Sequence, residues 1–451
     1  MNITYPQELA RLASYFPPQQ PLFIVGGFVR DCIIKSTALD DKVAPKCSGD
    51  IDIASALTPD QLLKALDGSP FVASPASARL GTMIIHGEKS YEYTTFRADS
   101  YPVDDGAHTP LDVTFCNSVD IDASRRDFKC NAIYYDILAD KLIDPLGGIE
   151  DIKTKTLSTC LAPSTTLAQD GLRIMRLFRF CATLEFSIAP DTYDGARDNI
   201  NRLLNISPER IASELNLILN ADNCFNVLCL LNNSGVLNII LPELADNDGV
   251  FQNPKFHKFD VLTHSFWTTQ YCPKAIRIAG LLHDVAKTFC QKRDGNMCLH
   301  AFEGAKMTEQ ILLRLKYPTK TIRHISRLVA THMYDLNGDA RESKIRTFVA
   351  NNFDIIDDII ALKIADGKAT GFEFNNFAVQ KLLNAKQLIL SRHLPVDVHC
   401  LAINGDDLRS IGYVGKKIGA TLAQLAQMAL LETIENNKRQ LFQWAMNNYK
   451  K

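Results

Sequence analysis

The chain of 451 residues is too long for one compact core and is expected to form roughly two to four domains. Its hydrophobic content of 46% and charged content of 22% are those of an ordinary globular protein. The net charge of −2 provides no overall attraction for nucleic acid, so any anionic partner must be held by local basic patches.

The cysteines and the N-terminal segment indicate the cellular compartment. The twelve cysteines stand singly and include no CxxC pair, which argues against a structural zinc site. Scattered cysteines of this kind are typical of a protein with reduced thiols. The opening "MNITYPQELARLASYF" has neither a basic nor an apolar signal region, and no apolar run approaches the roughly 20 residues that span a bilayer. We therefore predict a cytoplasmic protein that makes no membrane contact.

The predicted elements change character along the chain. Residues 7–16 have the period of a short helix, "PLFIVGG" indicates a buried strand ended by glycine, and "FVRDCIIK" begins a helix. The segments "DIDIA", "GTMIIHG", "SYEYTTFR" and "LDVTFC" are strand-like. From about Asp151, "LRIMRLFRFCATLEF", "SPERIASELNLILN" and later segments have helical periods. The pattern predicts an α/β head followed by an all-α body.

Two carboxylates in "GDIDIA" are candidate metal ligands. Asp50 and Asp52 stand two apart on a predicted strand, so both side chains are expected on one face. Such a pair can hold two Mg²⁺ ions, about 3.5–4 Å apart, that clamp the oxygens of a phosphoryl transfer. A solvated strand face that carries aspartate would produce the same pattern.

A glycine pair in "FIVGGFVRDCII" is a candidate phosphate cradle. Gly26 and Gly27 lie between the predicted strand and helix, where bare backbone N–H groups can approach a triphosphate. Arg30 follows on the helix and could pair with phosphate oxygens. The pattern lacks GxxxxGK[ST] and so is not a P-loop, and a tight turn alone would also explain the two glycines.

Six ordered motifs together carry a family resemblance. "GGFVRD", "GDIDIA", "SRRDFKCNAIYYD", "DPLGGIEDI", "QDGLRIMRLFRF" and "PERIASEL" follow one another over some 200 residues. In this order they resemble the class II, bacterial-type branch of the tRNA nucleotidyltransferase and poly(A) polymerase family, within the polymerase β superfamily. The resemblance implies a polymerase β-like nucleotidyltransferase head.

The resemblance also implies roles for individual residues. Asp50 and Asp52 would hold the catalytic Mg²⁺ ions, and Gly26, Gly27 and Arg30 would contact the phosphates of the incoming nucleotide. The segment Arg125, Arg126, Asp127, supported by Asn131, would handle ribose and phosphate. An aspartate that accepts from a ribose hydroxyl would favour ribonucleotides over deoxyribonucleotides.

The base of the nucleotide is expected to be chosen by protein side chains. Asp170 and Arg173 stand three apart, as neighbours on one predicted helical face. The carboxylate can accept from the amino group of cytosine or adenine and would repel the carbonyl oxygens of guanine and uracil. By resemblance, Arg176 and Arg179 contact phosphate or base, although the helical drift places Arg179 on another face from Asp170. A solvated helix with an intrahelical ion pair is the alternative.

Three features depart from the family pattern. Gln169 stands where an acidic residue is common, and the connection between Asp31 and Asp50 is longer than usual. "DDGAHTP", beginning at Asp104, lacks an arginine that is often found in the loop linked to the switch from C to A addition. These departures concern the addition of the full CCA sequence and leave the prediction of nucleotidyl transfer unchanged.

A second constellation lies in the helical body. His264, His283, Asp284 and Asp366 follow the order of an HD-domain phosphohydrolase, and His300 and His332 could complete a second metal position. Imidazole and carboxylate ligands suit Mn, Fe, Mg or Ni better than a structural zinc site. The alternative is an HD-like scaffold without activity that binds tRNA.

The resemblance divides the chain into four predicted parts. These are a head at 1–153, a nucleotide-selecting helical neck at 154–222, an HD-type body at 223–395 and a tRNA-binding tail at 396–451. Lys416 and Lys417 in the tail, between Gly415 and Gly419, would contact the RNA backbone. A capping helical subdomain would explain the tail equally well.

The combined prediction is a CCA-adding enzyme that extends the tRNA 3′ end from CTP and ATP. The alternatives within the class are a CC-adding or A-adding specialist and a poly(A) polymerase. From other classes, an HD phosphohydrolase with a vestigial head and a non-catalytic RNA chaperone stay open. The sequence does not decide the oligomeric state, the metal of the body or the timing of the C-to-A switch.

Overall fold

The computed structural model describes residues 3–37, 49–101 and 112–449. The chain forms two compact units, Met1–Pro242 and Glu243–Lys451. The "DDGAHTP" segment and most of the long connection after Asp31 lie outside the described residues. The predicted division into four parts is finer than these two units and stays a prediction.

The first unit contains the strands. They are β1 (Phe23–Val25), β2 (Asp52–Ser55), β3 (Val72–Ser77), β4 (Thr82–His86), β5 (Ser90–Thr95), β6 (Arg97–Ser100), β7 (Asp112–Phe115), β8 (Tyr134–Asp136), β9 (Lys141–Ile143), β10 (Thr156–Leu157) and β11 (Ser187–Ile188). Its helices are α1 (Gln7–Ala13), α2 (Gly27–Thr37), α3 (Pro59–Ala65), α4 (Val119–Ser124), α5 (Gly148–Thr154), α6 (Pro163–Gln169), α7 (Leu172–Leu184), α8 (Pro190–Asp198), α9 (Pro208–Asn220), α10 (Cys224–Asn233) and α11 (Val236–Ile240).

Seven strands form one mixed sheet in the order β3-β4-β5-β2-β1-β8-β9. Only the β2–β5 pairing of this sheet is parallel among the described residues. The three residues of β1 are all buried, as a short apolar run at the centre of a sheet requires. Phe23, Phe96 and Tyr134 pack into the core beside it. The sheet holds the start of β2 next to the end of β1.

The second unit is helical. It contains α12 (Pro242–Ala245), which begins at the unit boundary, α13 (Val261–Tyr271), α14 (Arg277–Leu282), α15 (Lys287–Asp294), α16 (His300–Arg314), α17 (Thr319–Thr331), α18 (Glu342–Asn351), α19 (Ile356–Ala369), α20 (Phe377–Ser391), α21 (Gly405–Ser410), α22 (Lys416–Leu430) and α23 (Lys438–Asn448). A small core of Leu408, Tyr413, Leu425 and Leu441 joins the last three helices.

The predicted architecture is confirmed: an α/β head is followed by a largely helical body. One detail differs, because β10 and β11 pair in parallel within the region expected to be all-α. Among the described residues, none of the helices combines the length and the apolar character that a membrane span requires.

Candidate active site and candidate metal centre

A cavity of about 890 Å³ in the first unit collects the residues predicted for nucleotidyl transfer. All of the predicted metal-binding and nucleotide-binding residues of the head and neck line it: Gly26, Gly27, Arg30, Asp50, Asp52, Arg125, Arg126, Asp127, Asn131, Asp170, Arg173, Arg176 and Arg179. The other lining residues include four that the sequence analysis did not select, namely Arg97, Asp99, Tyr101 and Arg210. Arg97 and Asp99 alternate along β6 and so share a face, which is a signal that the sequence does carry.

The glycine turn and the carboxylates belong to one site. Gly26 has a φ of +84°, a left-handed conformation that turns the chain from β1 into α2. A Cβ atom on Gly26 would lie 3.3 Å from Oδ2 of Asp52, because Val25 and Asp52 are partners across the β1–β2 pair. A larger residue would therefore crowd the carboxylate. Glycine at position 26 permits both the turn and the close approach.

The carboxylate pair differs from the prediction in one respect. Asp52 is the first residue of β2, whereas Asp50 precedes the strand, so the two do not both lie on a strand. Both side chains are nevertheless exposed and line the cavity, since buried Ile51 between them turns the other way. Partial enclosure and the negative charges of Glu92 and Asp50 raise the pKa of Asp52. A bound cation would relieve this repulsion, so the donor set fits a divalent metal.

Glu92 is a third acidic residue that the sequence analysis did not select. It lies on β5 and is the register partner of Asp52 in the parallel β2–β5 pair. Its side chain is exposed between buried Tyr91 and Tyr93. The alternation in "SYEYTT" predicts that exposure, but the pairing with β2 is a property of the folded sheet.

The Arg125–Arg126 segment is anchored by a buried carboxylate. Asp122 accepts from Arg125 Nε at 2.7 Å and from Arg126 Nη2 at 3.0 Å. Burial alone would raise the pKa of Asp122, but the two guanidinium groups hold it below its ordinary value. The arginines thus have fixed positions at the wall of the cavity, while their predicted contacts to ribose and phosphate stay a prediction.

Asp127 lies at the centre of a hydrogen-bond chain. Its Oδ2 accepts from Arg176 Nε at 2.7 Å, and its Oδ1 accepts from Asn131 Nδ2 at 3.3 Å. Asn131 in turn accepts from Arg30 Nη1 at 2.6 Å, and Arg30 Nε donates to Asp31. Burial opposes ionisation of Asp127, but Arg176 lowers its pKa to about 2. The chain links the head to α7 and holds Arg30 and Arg176 at the cavity.

The prediction that Asp170 and Arg173 share a helical face is wrong. Asp170 ends α6 in an extended conformation, and α7 begins only at Leu172. Asp170 Oδ1 accepts from the backbone N–H of Leu172 at 2.9 Å. Glycine is required directly after the break, because a Cβ on Gly171 would lie 2.5 Å from the carbonyl oxygen of Arg202. Both residues still line the cavity.

This break also changes the expectation for Arg179. A continuous helix would turn Arg179 away from Asp170, whereas both line the same cavity. Arg179 Nε lies 3.1 Å from Oε2 of Glu214 on α9, and its guanidinium stacks over Phe180 at 4.2 Å. The arginine is therefore held in place by an ion pair and a ring.

Arg173 is held by three protein acceptors. It donates to the carbonyl oxygens of Thr166 and Arg125, at 3.1 and 2.7 Å, and to Oε1 of Gln169 at 3.2 Å. The neutral amide of Gln169 thus does what an acidic residue at this position could do, which is to accept from the guanidinium. Tyr101 lies 5.9 Å from the guanidinium on the cavity side.

The second unit brings all six predicted residues of the body together. His264 lies on α13 and Asp366 on α19, as expected for helical positions. The prediction that His283 and Asp284 lie on a helix is wrong, since α14 ends at Leu282 and both residues lie in the turn before α15. His300 begins α16, and His332 follows the last residue of α17.

The carboxylate of Asp284 lies between two groups of candidate metal ligands. Its Oδ2 lies 3.1 Å from Nε2 of His283, and its Oδ1 lies 3.2 Å from Nε2 of His300. His264 Nε2 lies 3.0 Å from Oδ1 of Asp366, and His332 Nε2 lies 3.2 Å from Nε2 of His300. We refer to these six residues as the histidine cluster.

The imidazole rings are oriented for metal binding. The Nδ1 atoms of His283, His300 and His332 face the backbone carbonyls of Gly280, Met297 and Val329 at 2.6–2.8 Å. Donation from Nδ1–H to these carbonyls leaves Nε2 with its lone pair directed into the cluster. His264 and His283 also face each other through Nε2 at 3.3 Å, a contact that a shared cation would stabilise. The donor set therefore fits one or two divalent transition-metal ions.

Burial and the charges of neighbouring groups shift the pKa values of several residues in the cluster. Burial would raise the pKa of Asp284, but His283 and Lys287 hold it well below its ordinary value. Burial would lower the pKa of His283, but the carboxylates of Asp284 and Asp366 raise it. Burial lowers the pKa of His332. The cluster contains ionised carboxylates among buried imidazoles, with the side chain of Asp366 partly exposed.

The two predicted RNA contacts lie in the tail. Lys416 and Lys417 are exposed at the start of α22, directly after Gly415, whose φ is +57°. The exposed ammonium groups are available to a phosphate backbone, but the role itself stays a prediction.

Comparison with known proteins gives matches along most of the chain. The model of the poly A polymerase head domain matches residues 22–158, that of the RNA and SrmB-binding site of polymerase A matches 185–247, and that of tRNA nucleotidyltransferase domain 2 matches 297–445. An A-adding tRNA nucleotidyltransferase of Deinococcus radiodurans is 31% identical over 334 residues, covering 69% of this chain and 75% of that protein. A CCA-adding enzyme of Anoxybacillus flavithermus is 27% identical and covers 100% of this chain and 99% of that protein.

Solved structures of the same kind share the fold. A Bacillus stearothermophilus CCA-adding enzyme in complex with CTP superposes with a TM-score of 0.69 at 22% identity, covering 99% of this chain and 98% of that chain. A Thermotoga maritima CCA-adding enzyme complexed with tRNA superposes with a TM-score of 0.63 at 17% identity, covering 99% and 97%.

Proposed function

Because the chain belongs to the tRNA nucleotidyltransferase and poly(A) polymerase family, we propose that it adds C, C and A to the 3′ end of tRNA without a nucleic-acid template. CTP and ATP are the nucleotide substrates. The observation that carries this proposal is the cavity in which the Gly26 turn, the Asp50–Asp52 pair and the arginines of α7 face the same space. The cytoplasmic location stays a prediction.

The reaction joins the tRNA to the nucleotide at one phosphorus atom. The tRNA 3′ hydroxyl loses its proton to solvent, and its oxygen forms a bond to the α-phosphorus of CTP or ATP. The bond from that phosphorus to the oxygen that bridges to the β-phosphate breaks, so that pyrophosphate leaves. The family uses a divalent metal, and we assign Mg²⁺ held by Asp50 and Asp52. When bound, it lowers the hydroxyl pKa and neutralises the developing charge. Gly26 and Gly27 leave the backbone N–H groups open to the triphosphate.

The arginines and the polar chain position the nucleotide. Arg125 and Arg126, anchored on Asp122, extend the positive wall of the cavity. Arg176 and Arg30 are fixed through Asp127 and Asn131, so neither has to be ordered when the triphosphate binds. This preorganisation favours in-line attack by the 3′ hydroxyl.

Base selection is assigned to Asp170 and Arg173. The carboxylate oxygen Oδ1 of Asp170 is used by the N–H of Leu172, which leaves Oδ2 for an exocyclic amino group. Arg173 is held by Thr166, Gln169 and Arg125 while it lines the cavity. Cytosine and adenine both present an amino group beside a ring acceptor, and guanine and uracil present a carbonyl oxygen there.

The function is tested by the products formed on a tRNA transcript that ends at its discriminator base. The expected product carries CCA when CTP and ATP are both supplied. A product that stops at CC would instead identify a CC-adding enzyme. Extension only of a substrate that already ends in CC would identify an A-adding enzyme. A long A tract would identify a poly(A) polymerase. The A-adding relative makes the second of these a necessary comparison.

Replacing Asp170 with alanine is expected to relax base choice. The incorporation of UMP and GMP should rise relative to that of CMP and AMP, because the carboxylate no longer repels carbonyl oxygens. Each lost hydrogen bond to the base is worth about 1–3 kcal/mol. Competition among the four nucleotides in single turnover measures this change.

Asp194→Ala is a matched control for that experiment. Asp194 pairs with Arg197 at 3.3 Å, also three residues apart on α8, and both side chains are exposed and outside the cavity. Its removal should leave discrimination unchanged. If Asp170→Ala discriminates as the wild type does, Asp170 does not read the base.

A second function is favoured by the histidine cluster. We propose a metal-dependent phosphohydrolase that removes terminal phosphates or opens 2′,3′-cyclic phosphates at RNA ends. The supporting observation is that Asp284 faces ligands on both of its oxygens while three imidazoles are oriented by backbone carbonyls. A tRNA 3′ end that carries a phosphate cannot attack a nucleotide. Removal of that phosphate would supply the hydroxyl that the head requires. We assign Mn, Fe, Mg or Ni to this centre.

A further inference from the structure

A short loop lies against the histidine cluster and is fixed at both ends. The loop spans residues 250–258, between α12 and α13. At one end, Val261 N–H donates to Val250 at 3.0 Å, and Gly249 N–H donates to Oδ2 of Asp260 at 2.7 Å. At the other end, Lys258 N–H donates to the carbonyl oxygen of Thr370 at 2.9 Å. The ends of the loop are therefore tied to the start of α13 and to the end of α19, the helices that carry His264 and Asp366.

The side-chain amide of Gln252 in this loop is only partly hydrogen-bonded. Its Oε1 accepts from Nζ of Lys287 at 2.7 Å, and the same Nζ lies 2.6 Å from Oδ2 of Asp284. Its Nε2 is buried and has no hydrogen-bond partner among the described residues. A buried amide donor without a protein partner is satisfied by a bound water or by an acceptor on a ligand.

His257 presents a second buried polar atom beside the histidine cluster. Its ring packs edge-on against that of His264, with 5.1 Å between the ring centroids. Its Nδ1 is also buried and unpaired among the described residues. Two unpaired side-chain nitrogens and an ammonium group thus adjoin the ligands of the cluster.

We propose that Gln252, His257 and Lys287 form the phosphate-binding side of the hydrolase site, where they hold the phosphoryl oxygens of a phosphomonoester or cyclic phosphodiester. This inference rests on the proposed phosphohydrolase function. Gln252 donates from Nε2, and Lys287 has three N–H donors, of which Asp284 and Gln252 engage two. His257 donates from Nδ1 in the corresponding tautomer. Asp284 is shared between these donors and the metal ligands, so substrate and metal meet at one residue.

The variant Gln252→Glu tests whether Gln252 binds phosphate itself or only positions Lys287. Glutamate keeps an oxygen that accepts from Lys287, and it replaces the amide donor with a negative charge. If Gln252 binds phosphate, Gln252→Glu should weaken binding more than Gln252→Ala, which should itself weaken it about tenfold. If Gln252 only holds Lys287, Gln252→Glu should behave as the wild type.

The experiment titrates the full-length protein with inorganic phosphate by calorimetry after loading with Mn²⁺ or Ni²⁺. Metal content is measured on the same samples, and both Gln252 variants should retain it. Gln291→Glu introduces the same charge on the exposed surface of α15 and should bind phosphate normally. The KM and kcat for a 2′,3′-cyclic nucleotide give a second measure, with the change expected in KM.

The outcomes distinguish this inference from the function on which it rests. A wild type that binds metal and hydrolyses the ester, but whose phosphate affinity is unaffected by either Gln252 variant, overturns the inference and leaves the hydrolase standing. If no metal binds, the hydrolase proposal fails. Titration of the metal-free protein with phosphate then tests whether Gln252, His257 and Lys287 bind phosphate. Absence of phosphate binding there overturns the inference as well.

Discussion

Asp52→Ala is expected to reduce the incorporation of CMP and AMP by about a thousandfold or more, because metal-bound carboxylates stabilise the transition state by several kcal/mol. Asp50→Ala should have a similar effect. Asp52 lies beside Gly26 and opposite Glu92, at the edge of the sheet that lines the cavity. Single-turnover incorporation into a tRNA transcript measures the loss, and filter binding should show that tRNA affinity is largely retained.

Asp67→Ala is the control for these variants. Asp67 is exposed and is not among the residues that line the cavity, so incorporation should stay at the wild-type rate. Incorporation at a tenth of the wild-type rate or more by Asp52→Ala or Asp50→Ala would refute the assignment of these carboxylates to the metals.

The combined replacement His283→Ala and Asp284→Ala is expected to remove bound transition metal and phosphoester hydrolysis. Asp284 faces both groups of ligands, so its loss should empty both positions. Nucleotide addition should persist, because the cavity for nucleotidyl transfer lies in the other compact unit. Metal analysis of the purified protein, hydrolysis of a 2′,3′-cyclic nucleotide and the tRNA extension assay measure the three effects.

Two further variants make this result interpretable. His324 and Asp358 form another His–Asp pair, at 3.0 Å, on α17 and α19, but both are partly exposed. Their replacement with alanine should change neither metal content nor hydrolysis. His264→Asn removes one ligand while Asp284 and its contact with Lys287 remain, which guards against unfolding, and circular dichroism checks each variant. A wild type that holds no divalent metal under any supplementation would leave the body as a scaffold.

The head shows how far local sequence predicts a site. The apolar run before Gly26 and the alternation around Asp52 predicted a strand, a turn and a second strand, which the structure contains. The motif order also predicted the family. The position of Glu92 beside Asp52 was not predicted, because their pairing depends on which strands become neighbours in the sheet.

The neck shows where helical periodicity is misleading. The residues around "QDGLR" have a helical pattern, and a continuous helix was expected to carry Asp170 and Arg173 on one face. The structure breaks the helix at Asp170, whose backbone is extended, and the next residue, Gly171, packs against the backbone of Arg202. That contact joins two segments some thirty residues apart, so the local pattern could not predict it.

The sequence by itself determined the order of the motifs, the α/β head, the helical body and the identity of the ligand-type side chains, because these depend on residue type and local spacing. Only the tertiary structure decided which of them meet. Asp366 reaches His264 across 102 residues, and Asp284 lies between two pairs of histidines because four helices and the turn after α14 converge on it. Such contacts arise when packing buries the apolar faces of helices, and spacing along the chain does not specify them.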